Sequence, residues 1–150
     1  MKIGIAADHG GFELKQALIL KLKESGHELE DFGAYELDRQ DDYPDFVIPL
    51  AKALQQKQID RAIAVCGSGV GASVVANKVN GVRAALITEH FSAHQGVEDD
   101  DVNMICLGGR ITGMMAAQEL VETFIQAKFS GAERHVRRLE KLSQLEKDQL

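Results

Sequence analysis

The chain has 150 residues, 45% of them hydrophobic and 27% charged, and a formal net charge of −6. A chain of this length buries roughly 70% of its unfolded surface, enough for one cored domain over residues 1–150. The acidic balance argues against a non-specific nucleic-acid binder, which carries a basic patch. No apolar run approaches the roughly 18 residues of a membrane span.

Met1 to Ala7 lacks the long apolar region of a signal peptide and meets Asp8 at once, so a cytoplasmic protein is expected. Cys66 and Cys106 are the only cysteines. With no close cysteine pair, neither a disulfide framework nor a cysteine zinc site is expected.

Lys2 to Ala7 is short and apolar, a buried strand. Asp8-His9-Gly10-Gly11 follows as a turn, and Asp8 is a candidate helix cap. A helix runs from Phe12 to Ser25, with Leu14, Leu18 and Leu22 on one face, and stops at Gly26. His27 to Phe32 reads as a second strand, and the next ten residues as a polar loop. Asp42-Tyr43-Pro44 opens a helix to about Gln58. Arg61 to Val65 is the third strand, and Ser73 to Val79 a helix. Val82 to Thr88 is the fourth strand, after an Asn80-Gly81 turn, and Asn103 to Leu107 the fifth. Met114 to Phe129 and Glu133 to Lys147 are helices, the last with Leu139, Leu142 and Leu145 as its apolar stripe.

Apolar strands alternating with helices predict an α/β fold, a three-layer, doubly wound, Rossmann-like parallel sheet. With right-handed crossovers the simplest order is 2-1-3-4-5. Its switch point lies between strands one and three, and ligands bind beyond the carboxyl ends of strands there. Asp8-His9 ends strand one, and Cys66-Gly67-Ser68 follows strand three, so both clusters face one crevice.

Cys66-Gly67-Ser68-Gly69-Val70-Gly71-Ala72 is the centre of the chain's chemistry. Glycines let backbone N–H groups converge on a ligand, and a following helix N-terminus favours an anion. A cysteine there sits where a thiolate is stabilised. The same residues fit G-x-G-x-x-A, with Glu89 where a ribose-binding acid belongs, the pattern of a dinucleotide site. Against that reading, the fingerprint lies mid-chain, its helix is short, and no second domain remains for a hydride partner.

Asp8-His9-Gly10-Gly11, Asp42-Tyr43-Pro44-Asp45, Cys66 to Gly71, Ala76-Asn77-Lys78, Gly81-Val82-Arg83-Ala84 and Arg134-His135-x-x-Arg138 lie in that order along nearly the whole chain. Together they resemble the ribose-5-phosphate isomerase B family, which includes the galactose-6-phosphate isomerase subunits. The resemblance implies aldose–ketose isomerisation of a sugar phosphate without metal or organic cofactor. It also implies a homodimer with sites at the subunit interface. By it, Cys66 is the proton-transfer base. Ser68 and the N–H groups of Gly67, Gly69 and Gly71 hold the enediolate oxygen. Asp8, His9 and Tyr43 contact substrate, and Arg134 and Arg138 clamp the phosphate. Arg110, after strand five at the carboxyl edge, is a third candidate. The bland readings stand beside these: Cys66 as a buried apolar residue, Asp8-His9 as a capping turn, and Arg134 and Arg138 as a solvated basic face. Cys106, inside strand five, reads as core.

The family usually has Arg-x-His-Asn-Asp before the fifth strand, and its histidine opens the sugar ring. Here Val97, Asp99 and Asp100 occupy the arginine, histidine and asparagine positions. Either Asp99 or the upstream His94 opens the ring, or the substrate is a tetrose phosphate that needs no opening. A third reading has His90, His94 and the acids binding a metal. A non-catalytic sugar-phosphate-binding subunit, needing a paralogous partner, is the alternative to an enzyme. The last helix has little of its own chain to cover its leucines and is expected to pack on a partner.

Overall fold

A computed structural model describes residues 1–149. The elements are β1 (Lys2–Ala7), α1 (Phe12–Glu24), β2 (Glu28–Asp31), α2 (Tyr43–Gln55), β3 (Arg61–Cys66), α3 (Val70–Ala76), β4 (Ala84–Leu86), α4 (His90–Asp100), β5 (Met104–Gly108), α5 (Met114–Gln126) and α6 (Glu133–Asp148). The five strands form one parallel sheet. Side chains of α1, α4 and α5 pack on one face with Ile3, Ile5, Ile63 and Ile105. Those of α2 and α3 pack on the other with Ala6, Ala64, Met104 and Cys106. The three-layer, doubly wound class agrees with the sequence. No helix among the described residues is long and apolar enough to cross a membrane.

The strand order differs from expectation at one end. It is β2-β1-β3-β5-β4, so β5 lies between β3 and β4. All of β5 is buried, as a central strand requires. Strand β4 is three residues long and part-exposed, as an edge strand is. The exchange follows from α4, a helix absent from the sequence reading. Right-handed crossovers put α4 on the α1 and α5 face only if the chain steps back from β4 towards β3. The helix was hard to see because it is mostly polar and buries only Ala93 and Val97. Glu89 caps it, accepting a hydrogen bond from Ser92 N–H at 2.9 Å. That carboxylate, which the dinucleotide reading would assign to a ribose, therefore serves the helix.

One buried charge ties the first helix to the sheet. Lys15 has no exposed surface. Its Nζ donates to both carboxylate oxygens of Asp31, at 2.8 and 2.9 Å, and to the Ala34 carbonyl at 2.7 Å. The ammonium is thus fully partnered, which is what its burial demands. Replacing Lys15 by Ala takes the donor from the Ala34 carbonyl and leaves Asp31 with the Gly33 N–H. Urea unfolding should show a loss of about 3 kcal/mol; a loss below about 1 kcal/mol would mean that water substitutes for the lysine.

Candidate active site

The site is built from three strand ends. Strand β1 lies beside β3, and β3 beside β5, so residues 8, 66 and 109 emerge next to one another. The loops then lock backbone to backbone. Gly109 N–H donates to the Cys66 carbonyl at 2.8 Å and Arg110 N–H to that of Gly67 at 3.0 Å. A Cβ on Gly10 would stand 2.8 Å from Gly67 N, so only glycine fits. With β4 in the place of β5, Arg110 would have been one strand spacing, about 4.8 Å, further away.

A cavity of about 320 Å³ opens here, lined by Asp8, Tyr43, Cys66, Gly67, Ser68 and Arg110 among others. Cys66 is 4% exposed and ends β3. Gly69 N–H donates to its Sγ at 3.1 Å. Gly69 has φ +84°, a left-handed turn that begins α3 and aims that N–H at the sulfur. The Gly69 N–H thus faces the thiol, at the edge of the cavity where a substrate oxygen is expected. Ser68 is exposed, beside the thiol in the same cavity wall. The Tyr43 ring lies over Gly71, where a Cβ would meet Cζ at 2.7 Å. Cys106 differs entirely: burial pushes its thiol up to about 12, with the Cys66 sulfur adding to the shift.

Asp8 and His9 have partners of their own. Asp8 is 6% exposed, and its Oδ1 accepts from Gly10 N–H at 2.9 Å and Gly11 N–H at 3.2 Å. Burial, the largest influence, raises its carboxyl above the usual range; the His9 charge and the Gly10 N–H pull it back. His9 Nδ1 lies 2.6 Å from Asp41 Oδ1. That hydrogen bond raises the imidazole above its ordinary value, burial opposes it, and the Asp8 charge adds to it. His9 and Arg110 also line an adjoining cavity of about 500 Å³ with Gly10, Glu13, Arg39 and Gly109.

The remaining sequence candidates lie elsewhere. Helix α4 runs back from the carboxyl edge and delivers Asp99 and Asp100 to the amino edge of the sheet. There Asp101 Oδ2 pairs with Arg83 at 2.7 Å, just before β4 begins. Asp99 accepts from Gln95 at 2.8 Å and stands 3.4 Å from His135 Nε2 on α6. Arg134 and Arg138 flank that histidine and are exposed. His94 pairs with Glu98 at 3.0 Å and sits edge-on to His90 and Phe91. Six residues of β3 separate the two edges, about 16 Å of strand. Within one chain, therefore, Asp8, His9, Tyr43, Cys66, Gly67, Ser68, Gly71 and Arg110 come together. Asp99, Asp100, Arg134 and Arg138 form a second group, and the two groups do not meet. Among the described residues, Asp8, His9 and Asp41 are the one trio of acids and histidines close enough to share a metal ion, and neither His90 nor His94 belongs to it.

The profile of the ribose/galactose isomerase family matches residues 3–142. The chain belongs to that family. Escherichia coli ribose-5-phosphate isomerase B is 35% identical over 145 residues, covering 97% of this chain and 96% of that protein. Ribose-5-phosphate isomerase B of Clostridium thermocellum, a solved structure, superimposes with a TM-score of 0.96 at 41% identity over the full length of both chains. The Mycoplasma genitalium ribose-5-phosphate isomerase B structure, with bound ribulose 5-phosphate, gives a TM-score of 0.92 at 37% identity, covering 98% of this chain and 97% of that one.

In this isomerase-family fold, Asp41 was not among the residues that the sequence singled out. It lies in a polar loop before α2, where an acid reads as solvated surface. The nearest signal was the loop's own density of acids, Asp38, Asp41 and Asp42. The raised Asp8 carboxyl gives a test with a definite sign. A carboxyl raised by folding contributes stability that is fully present below its unfolded value and lost as pH rises through the folded one. Asp8→Asn keeps an acceptor for Gly10 and Gly11 but carries no charge. Its melting temperature should exceed wild type by about 2–4 °C at neutral pH. The gain should vanish below about pH 4, where wild-type Asp8 is itself neutral. A lower melting temperature at neutral pH would mean that the charge stabilises the fold.

Proposed function

We propose that the protein is an aldose–ketose isomerase of a sugar phosphate, of the ribose 5-phosphate to ribulose 5-phosphate type. The observation that carries this reading is the Cys66 thiol in the wall of a cavity shared with Ser68, Tyr43, Asp8 and Arg110. Isomerisation moves a proton between C1 and C2 of the open sugar. The Cys66 thiolate takes the C2 proton, and the C–H electron pair becomes the double bond of an enediolate. Ser68, beside the thiol, donates to the oxygen where charge collects. The thiol returns the proton to C1, and the proton on the C2 hydroxyl moves to the C1 oxygen. The sugar is oxidised at C2 and reduced at C1, so the balance closes without an outside redox partner.

The phosphate clamp and the ring-opening group are proposed to come from a second subunit of a homodimer. Arg134 and Arg138 flank His135, which meets Asp99 toward the amino edge of the sheet, whereas the thiol of their own chain ends β3, about 16 Å long, at the carboxyl edge. Two apolar surfaces support the pairing. On α6 only His135 is buried, which leaves Val136, Leu142 and Leu145 uncovered. Around the carboxyl edge Val70, Val74, Leu86, Ile111, Met114 and Met115 are exposed. Exposed apolar side chains in such numbers mark an interaction surface.

Purified Cys66→Ala should lose at least about 10³-fold in turnover of ribose 5-phosphate, the worth of a general base with its positioning. Its affinity for the sugar phosphate should change by less than about threefold, since the cations remain. Turnover within about tenfold of wild type would remove Cys66 as the base. Wild-type protein inactive on tetrose, pentose and hexose phosphates alike would favour a binding subunit that needs a paralogous partner.

A further inference from the structure

His9 faces the cavity beside Arg110, and what holds it there is Asp41. One carboxylate oxygen, Asp41 Oδ1, takes both the His9 backbone N–H at 3.0 Å and the ring Nδ1 at 2.6 Å. A carboxylate only accepts, so Nδ1 carries a proton and Nε2 is the nitrogen left for a ligand. The Asp41 side chain is 9% exposed, and its Oδ2 is buried without a hydrogen-bond partner among the described residues. A buried carboxylate with one oxygen unpartnered is costly. The protein keeps it where its one engaged oxygen fixes both the main chain and the ring of a single residue.

We propose that Asp41 is a positioning residue, which fixes the His9 imidazole through Nδ1 and presents Nε2–H to the anionic substrate. This rests on the proposed isomerase site and adds a residue to it. Asp41 does not touch substrate. It acts by orienting the ring and by favouring its charged form, so that His9 adds positive charge beside Arg110. The charged groups facing His9 are Asp8 and Asp41, which favour imidazolium, and Arg110, which opposes it. Glu13 and Arg39, in the wall of the same cavity, are opposite in sign. The device matters most in a chain of net charge −6, where an anionic substrate is otherwise repelled.

The test compares wild type with Asp41→Asn, His9→Asn and the double variant. His9 is titrated by NMR through its ring carbon protons, with inorganic phosphate as the probe ligand, and KM and kcat for ribose 5-phosphate are followed from about pH 6 to 9. In Asp41→Asn the His9 titration midpoint should fall, and KM should rise about tenfold between the variant's midpoint and the wild type's, with kcat within about threefold. The double variant should be no worse than His9→Asn alone, since both changes remove one device. Asp41→Glu should restore part of the loss. An unchanged His9 midpoint in Asp41→Asn, or additive losses in the double variant, would overturn the proposal. The titration needs no turnover, so an inactive wild-type protein would count against the isomerase reading while the Asp41 reading is still decided. If Asp41→Asn unfolds, Asp41→Glu decides: a His9 midpoint and a KM that move together support the proposal, and a raised KM with an unmoved His9 midpoint overturns it.

Discussion

The site depends on three adjacent strand ends packed backbone against backbone. Gly109 N–H on the Cys66 carbonyl and Arg110 N–H on the Gly67 carbonyl tie β5 to β3. Gly10, which has no room for a Cβ against Gly67, ties β1 to both. These contacts leave no slack in the loops that carry Asp8, Cys66 and Arg110. The strands behind them are fully buried from Ile3 to Ala7, Ala62 to Cys66 and Met104 to Gly108, so the frame is rigid. A proton transfer between adjacent carbons needs that rigidity, because misplacement by about 1 Å costs on the order of 10²-fold in rate.

Much of this is legible in the amino-acid sequence alone. Alternating apolar strands and helices fixed the class, and the switch point put Asp8 and Cys66 in one crevice by topology alone. The exchange of β4 and β5 was not legible. It turns on α4, a polar helix whose small buried face is too weak a periodic signal. The fully buried, all-apolar Met104-Ile105-Cys106-Leu107 was the available clue to a central strand. Lys15 escaped because a lysine inside an amphipathic helix reads as solvent-facing, and only the placement of Asp31 and Ala34 makes its burial affordable. Asp41 escaped for the same kind of reason: its partner lies 32 residues away in sequence.

The separation of the thiol from the arginine pair bears most on function. Within one chain, the thiol's cavity has Arg110 with His9 beside it, but neither Arg134 nor Arg138. The second group lies on α4 and α6, next to surfaces that the chain leaves uncovered. Asp99 is held there by Gln95 and His135 rather than solvated at random. An acid in place of the family's histidine changes the charge that one subunit would bring to the other's site. His9 with its Asp41 partner, and Arg110, offset that charge from the thiol side of the cavity.

The most direct test of the shared site is complementation between two inactive variants. Cys66→Ala lacks the base, and the Arg134→Ala, Arg138→Ala double variant lacks the clamp. The two are unfolded, refolded together and assayed against each alone. In a two-fold dimer with random pairing, half of the dimers are mixed, and each mixed dimer rebuilds one complete site of two. A site shared between subunits should recover about one quarter of wild-type turnover. A mixture no more active than its two components, while light scattering shows mixed dimers, would contradict it.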